Sequence, residues 1–280
     1  MTAVEITSAS NPRIKRLIGL RGRRHRDREP VFLVEGAREL ERATVAGHRP
    51  LEVYFDPDLY PRSPHRAPLE VTVAASALDR ASYRGRSQGV IAVFPQFDVT
   101  LDHLEPGPEP LILLAEAVEK PGNLGALLRI ADAVGADALI TADPSIDPFG
   151  PNVVRASTGA LFTVPLAVTD LAPTVEWLRR REVRIVAADP DAGLDLWSAD
   201  LTGPRALLVG SEHSGLSAAA RAAADSRVAI PMFGASDSLN VSVSMAVLAY
   251  EALRQRGHAG QQPPSASLRS AGPPAPQVDN

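Results

Sequence analysis

Five short apolar runs constrain this chain more than any other feature: LILLA at 111, ALIT at 138, VRIVAA at 183, ALLVG at 206 and RVAIP at 227. Each is bounded by turn residues and followed by a stretch long enough for a helix. Strands that read as continuous apolar runs, rather than as alternating ones, are buried on both faces, the pattern of a parallel sheet covered by helices. The second half of the chain is therefore expected to be a parallel-sheet α/β domain over 111–257, with a last helix from near Ser238 to near Gly257.

The first half reads as a smaller α/β domain over 1–95. Ser10 or Asn11 ahead of Pro12 forms an N-cap with proline at the first helical position. Strands are expected at about 31–34, 51–55, 69–73 and 90–94, with a helix GARELERATVAG closing on Gly47 between the first two. DPDLYPRSPHRAP is a loop by its prolines. Residues 96–110 form the linker in a proline-rich stretch, and 258–280, with five prolines and no aromatic residue, are expected to be a disordered tail. A length of 280 residues suits two domains, and 45% apolar residues describe an ordinary core.

Composition excludes several chemistries. With no cysteine there is no disulfide, no thiolate zinc site and no cysteine nucleophile, and no ligand cluster for a metal is visible. MTAVEITSAS lacks a basic segment leading into an apolar one, and no apolar run approaches the ~18 residues of a membrane span, so a cytoplasmic protein without a membrane partner is expected. The net charge of −4 is unevenly spread: residues 11–28 hold eight Arg or Lys against one Asp, +7, leaving −4 − 7 = −11 elsewhere. Such a local basic stretch, here Arg13, Lys15, Arg16, Arg21, Arg23 and Arg24, is either a phosphate-binding patch or a solvated helix end.

Three segments carry the chemistry. In EAVEKPGNLGALLRIADAVGAD, a turn at Pro121 to Asn123 opens a helix with Leu124, Leu127, Leu128, Ala131 and Val134 on one face. Gly125 and Arg129 fall on the other, and since an internal helix glycine costs about 1 kcal/mol relative to alanine, the bare surface beside Arg129 is expected to admit a substrate or another chain. ALLVGSEHSGLS places Gly210, Ser211, Glu212 and Gly215 in a turn beyond a strand end, where α/β sheets bind ligands. VAIPMFGASDSLNVSVSMAVLAYEALRQR runs from a strand through a polar loop to a helix start, with Ser238 and Asn240 beside free backbone N–H groups. Within that helix Ser242 and Ser244 need partners, either their own backbone carbonyls or something in a pocket.

Asn123-x-Gly125-x-x-x-Arg129, Gly210-x-Glu212-x-x-Gly215 and Ile230-Pro231-Met232 followed by Ser238-Leu239-Asn240-Val241-Ser242 resemble, in order and spacing, the three motifs of the SpoU or TrmH-like RNA ribose 2′-O-methyltransferases. The N-terminal part, through SQGVIAVF, is similar to the ribosomal-protein L30e-like substrate-binding domain of many members, so the resemblance covers about residues 6–256. It implies a deep C-terminal trefoil knot, which periodicity would not suggest because knotted chains are rare. It implies S-adenosylmethionine as cofactor, held by Gly210, Ser211, Ile230, Met232, Leu239 and Val241, a homodimer with the site at its interface, and RNA as partner. The same resemblance gives Arg129, Asn123, Glu212, Ser238 and Asn240 catalytic roles and turns Arg155 toward the RNA.

The reaction so implied is displacement at the methyl carbon of a sulfonium by a ribose oxygen, a poor nucleophile that must be aligned and deprotonated. Guanidinium groups, with pKa values above about 12, do not normally accept a proton, so Arg129 is expected to orient a phosphate and stabilise developing negative charge. Ribosomal RNA, 23S, is the expected substrate, with tRNA and an antibiotic-resistance role as alternatives. A non-catalytic RNA-binding or ribosome-assembly protein is a reading of a different class. A dehydrogenase is disfavoured because no G-x-G-x-x-G follows the strand at 111.

Overall fold

The computed structural model describes residues 4–235 and 238–257, so the expected tail over 258–280 lies outside the described residues. The chain opens with β1 (Val4–Ile6), α1 (Pro12–Leu20) and α2 (Arg23–Arg26), followed by β2 (Val31–Glu35), α3 (Ala37–Val45), β3 (Glu52–Phe55), β4 (Leu69–Val73), α4 (Ala75–Ala81) and β5 (Val90–Pro95). Asn11 is the cap of α1, its side chain accepting from Arg13 N at 2.9 Å. These strands form a mixed sheet in the order β1-β4-β3-β5-β2, with β5 antiparallel to both neighbours. The short β1 and the helix α4 carry no sequence pattern that distinguishes them from loop; β1 exists because it pairs with β4.

The second sheet is built from β6 (Leu111–Glu116), α5 (Pro121–Val134), β7 (Ala138–Ala142), α6 (Pro151–Ala156), β8 (Leu166–Thr169), α7 (Leu171–Arg180), β9 (Arg184–Ala188), β10 (Arg205–Val209), α8 (Ala218–Ala223), β11 (Ser226–Val228) and α9 (Val241–Gln255). Its order is β11-β9-β10-β6-β7-β8 and every pairing is parallel, as the continuous apolar runs require. β8 is the strand that the apolar runs did not reveal, being four residues long and only half-covered at its end. The expected start of the last helix near Ser238 moves to Val241, because Asn240 takes the cap position and accepts from Ser242 N at 3.0 Å.

The chain order reverses between β6 and β10, so the carboxyl ends of these two strands open a crevice of the kind in which α/β sheets place ligands. α5 follows β6, the turn at 210–216 follows β10, and α9 packs against both α5 and β10. At its far end α9 is pinned. Gln255 bonds Ala199 O and Leu201 N, and Arg256 donates to Glu109 O and Pro110 O.

The two sheets share one apolar core that runs from β2 and β5 through α5 and α6 to α9. Phe32, Phe94, Phe97, Phe149 and Phe162 meet there with ring centroids 5.0–6.2 Å apart. Beside them the buried Arg26 donates to Asp147 Oδ2 at 2.6 and 3.0 Å and to Leu20 O at 2.7 Å. The segment 96–110 is not a free spacer: Phe97 joins the aromatic cluster, Val99 O accepts from Val168 N at 2.8 Å and Leu104 is buried. The first sheet is therefore seated on the second rather than tethered to it.

Candidate active site

α5 begins where Pro121, free of a backbone donor, starts the first turn, and it leaves Asn123 half-buried at the crevice. Asn123 Nδ2 donates to Glu212 Oε1, Asn240 Nδ2 reaches the same oxygen at 3.1 Å and Asn123 Oδ1 at 3.4 Å, and Lys120 Nζ pairs with Glu212 Oε2. Three segments remote in sequence thus meet on one carboxylate whose two oxygens are both engaged. Lys120 carried no sequence signal, since it stands ahead of the motif, in extended backbone at the N-cap of α5.

The turn that holds Glu212 is closed by reciprocal backbone bonds between Ser211 and Gly215, at 2.9 and 3.1 Å. Gly210 is dictated by this closure, because a Cβ there would lie 2.2–2.3 Å from backbone atoms of Gly215 and Leu216. The buried Glu116 at the end of β6 accepts from Ser217 N at 2.9 Å and ties the far side of the turn to the sheet. His213 is exposed and takes no part.

Next to the cluster lies a pocket lined by Ala188, Asp189, Ile230, Met232, Ser238, Leu239 and Ser244. Ile230, Met232 and Leu239 are thus brought together as expected, while Gly210 and Ser211 stay in the neighbouring turn and the Val241 side chain is buried in the core instead. Ser238, expected beside Asn123, Glu212 and Asn240, lines the pocket and, among the described residues, makes no bond to that cluster. Ser242 departs from both of its expected partners: its hydroxyl donates to Asn240 Oδ1 at 2.6 Å, reinforcing the cap, whereas Ser244 faces the pocket. Asp189 was not visible as a site residue in the sequence. Burial acts to raise its carboxyl, but Arg221, the Asp191 amide and Arg227 overcome this and hold it below the ordinary aspartate range.

Gly125 corrects an expectation. It is buried, and a Cβ there would lie 2.4 Å from Ala156 Cβ and 2.7 Å from the Ala156 backbone, so the glycine admits α6 rather than a substrate. Arg129, one turn on, is exposed, and its side chain has no hydrogen bond or ion pair with any described residue. Six residues along α5, it stands about 9 Å from Asn123 along the helix axis and outside the cluster.

Of the basic residues, Lys15, Arg23 and Arg24 are exposed, Arg16 is held by Glu29 and Glu52, and Arg21 donates to Ser82 O and Arg80 O. Arg13 lies against the Tyr54 hydroxyl. Arg155 is half-buried, its Nε enclosed without a partner among the described residues. No helix among the described residues is long and apolar enough to cross a membrane.

Residues 110–250 match the SpoU rRNA methylase family, and residues 11–92 match the MRM3-like substrate binding domain. The 23S rRNA (guanosine-2′-O-)-methyltransferase RlmB of Ralstonia nicotianae is 42% identical over 178 residues, 61% of this chain and 71% of that protein. A crystal structure of an RNA 2′-O ribose methyltransferase superposes with a TM-score of 0.80 at 42% identity, covering 90% of this chain and 99% of the other. AviRb of Streptomyces viridochromogenes, a SpoU methyltransferase solved in complex with the cofactor AdoMet, superposes with a TM-score of 0.81 at 30% identity over 88% of this chain and 98% of its own.

Proposed function

The chain belongs to the SpoU rRNA methylase family, and from that membership and the geometry of its crevice we propose that it methylates a ribose 2′-hydroxyl of 23S ribosomal RNA. It is an S-adenosylmethionine-dependent RNA 2′-O-ribose methyltransferase. The observation that carries the reading is the meeting of Asn123 and Asn240 on the Glu212 carboxylate, with Asn240 next in the chain to the pocket-lining Leu239.

The pocket fits the cofactor by its chemistry. An adenosyl group presents a flat apolar base edged by polar atoms and a ribose diol, and here the apolar Ile230, Met232 and Leu239 line the same pocket as the polar Ser238 and Ser244. Bound there, S-adenosylmethionine supplies an electrophilic methyl carbon on a sulfonium. The Asn123, Glu212 and Asn240 cluster holds the start of α5, the turn after β10 and the start of α9 in one arrangement, which aligns the nucleophile's side of the crevice with the pocket. Arg129, exposed and without an ion pair among the described residues, orients the phosphate beside the target ribose and offsets negative charge developing on the 2′-oxygen.

The assembly belongs to the same proposal. Val243 and Tyr250 on the outer face of α9 are 46% and 53% exposed and Phe233 beside the pocket is 98% exposed, an apolar surface suited to a second copy of this chain in a homodimer. A deep C-terminal trefoil knot, a ribosomal-protein L30e-like first domain over 1–95 joined by 96–110 to the catalytic domain over 111–257, and a cytoplasmic location complete it. RNA contact through Lys15, Arg23, Arg24 and Arg155 draws support from the exposure of the first three.

The test is direct: the protein is incubated with labelled S-adenosylmethionine and, separately, ribosomal subunits, free 23S rRNA and tRNA, and the modified nucleotide is mapped. A 2′-O-methyl group in 23S rRNA is expected. Label confined to tRNA would overturn the substrate, and absence of cofactor binding by calorimetry would remove the enzymatic reading.

A further inference from the structure

A second concave site, remote from the Glu212 cluster, opens beside α1 and α4 in the first domain. It is an open groove of about 520 Å³ lined by Arg21, Asp79, Arg80, Tyr83 and Arg84.

Its floor is held in place from several sides. Tyr83 N donates to Glu35 Oε1 and Ser82 Oγ to Glu35 Oε2, both at 2.8 Å. Arg21 donates to Ser82 O at 2.9 Å and Arg80 O at 3.0 Å, fixing the end of α4 from below. Across the domain boundary, Asn152 Nδ2 donates to the Tyr83 hydroxyl at 2.8 Å. The ring is thus anchored at both ends and still 42% exposed. Arg80 and Arg84 line the same groove, exposed and without an ion pair or side-chain hydrogen bond among the described residues, while Asp79 is occupied by Ser87 N at 2.7 Å. Three guanidinium groups against one carboxylate leave the site positive.

A fixed aromatic ring in one groove with guanidinium groups that are unpaired among the described residues suits an unpaired nucleic-acid strand, whose bases stack on rings while its phosphates pair with arginine. An A-form duplex offers no base face, only backbone and 2′-hydroxyls across a shallow groove. We propose that this groove binds an unpaired segment of the substrate RNA, with one base stacked on Tyr83 and the flanking phosphates on Arg80 and Arg84. The proposal rests on the reading of RNA as substrate and adds the form in which it is recognised. Asn152 belongs to α6, and α6 packs through Ala156 onto Gly125 of α5, so a base seated on Tyr83 stands at a set offset from Asn123.

Fluorescence anisotropy on the full chain tests this, with a labelled single-stranded RNA of about twelve nucleotides and a hairpin duplex of equal length as probes. The single strand is expected to bind more tightly. Tyr83→Ala weakens it about tenfold, Tyr83→Phe retains most of the affinity, and Arg80→Gln with Arg84→Gln weakens it and flattens its salt dependence. Calorimetric S-adenosylmethionine binding, unchanged in each variant, confirms folding. Preference for the duplex, or single-strand affinity indifferent to both Tyr83→Ala and the paired arginine change, overturns the proposal. Methyl transfer to rRNA is scored separately. If it persists while the groove variants bind normally, the groove fails and the enzyme stands, and if Tyr83-dependent binding occurs without methyl transfer, the enzymatic reading fails and the groove stands.

Discussion

Asn240 Nδ2 lies 3.1 Å from Glu212 Oε1, so the residue that caps α9 also completes the carboxylate network at the end of β10. The two duties can be separated. Asn240→Asp keeps a strong cap for Ser242 N but sets a second carboxylate against Glu212. Thermal stability is expected to change little, while methyl transfer falls about a hundredfold, the scale of a small misplacement at a reacting centre. Steady-state kinetics beside calorimetric unfolding checks both halves, and unchanged turnover would dissociate the network from the reaction.

Gly125→Ala sets two effects against each other. Alanine gains about 1 kcal/mol in helix propensity, yet its Cβ lies 2.4 Å from Ala156 Cβ and close to backbone that has no rotamer to change. Overpacking of this kind costs about 1–3 kcal/mol, so a net loss is expected. The urea midpoint measures it; a stabilised variant would mean that α5 and α6 separate freely.

Arg129→Lys preserves charge and removes the planar fork. With the side chain outside the Glu212 network, cofactor affinity is expected to stay at the wild-type value while turnover drops about tenfold or more. Near-wild-type turnover would sink the orienting role.

Arg26 and Asp147 form a buried ion pair across the two domains. Arg26→Ala leaves an uncompensated carboxylate and is expected to cost about 3–5 kcal/mol, whereas the double change Arg26→Met, Asp147→Leu recovers much of it. Chemical denaturation of the single and double variants reads the difference. Equal losses in both would show that the cost comes from the lost packing and the Leu20 O bond rather than from the unpaired carboxylate.

His48 packs against Phe97 and Phe162 with centroids 5.0 and 5.3 Å away, and burial lowers its pKa, opposed in part by the Phe162 backbone. A depressed folded value means that the native state favours neutral imidazole. Its contribution is therefore full above the unfolded value of about 6.5 and lost as pH falls through the lower folded one. Stability followed from pH 8 to 5 should decline in the wild type and flatten in His48→Phe. A parallel decline in both would place the acid-sensitive group elsewhere.

Much of the fold was legible because burial leaves a mark in composition. LILLA, ALIT, VRIVAA and ALLVG announce a sheet covered on both faces, and all of them pair in parallel. β8 and β1 escaped the sequence reading, and only pairing with β7 and β4 makes them strands. The site was legible as motifs. Asn123, Glu212, Ser238, Leu239 and Asn240 could be named from order and spacing, and the structure sets them around one crevice.

What the sequence could not hold is which surface faces which. Helical period separated Gly125 from the leucines of α5 but was silent on its neighbour, which is α6 and not a ligand. Lys120, Asp189 and Tyr83 gain meaning only from partners 30 or more residues away: Glu212, Arg221 with Arg227, and Asn152. The physical reason is one of range. Period and propensity are set by residues within a few positions of each other, whereas a hydrogen bond or a close helix approach depends on where the sheet has carried remote segments.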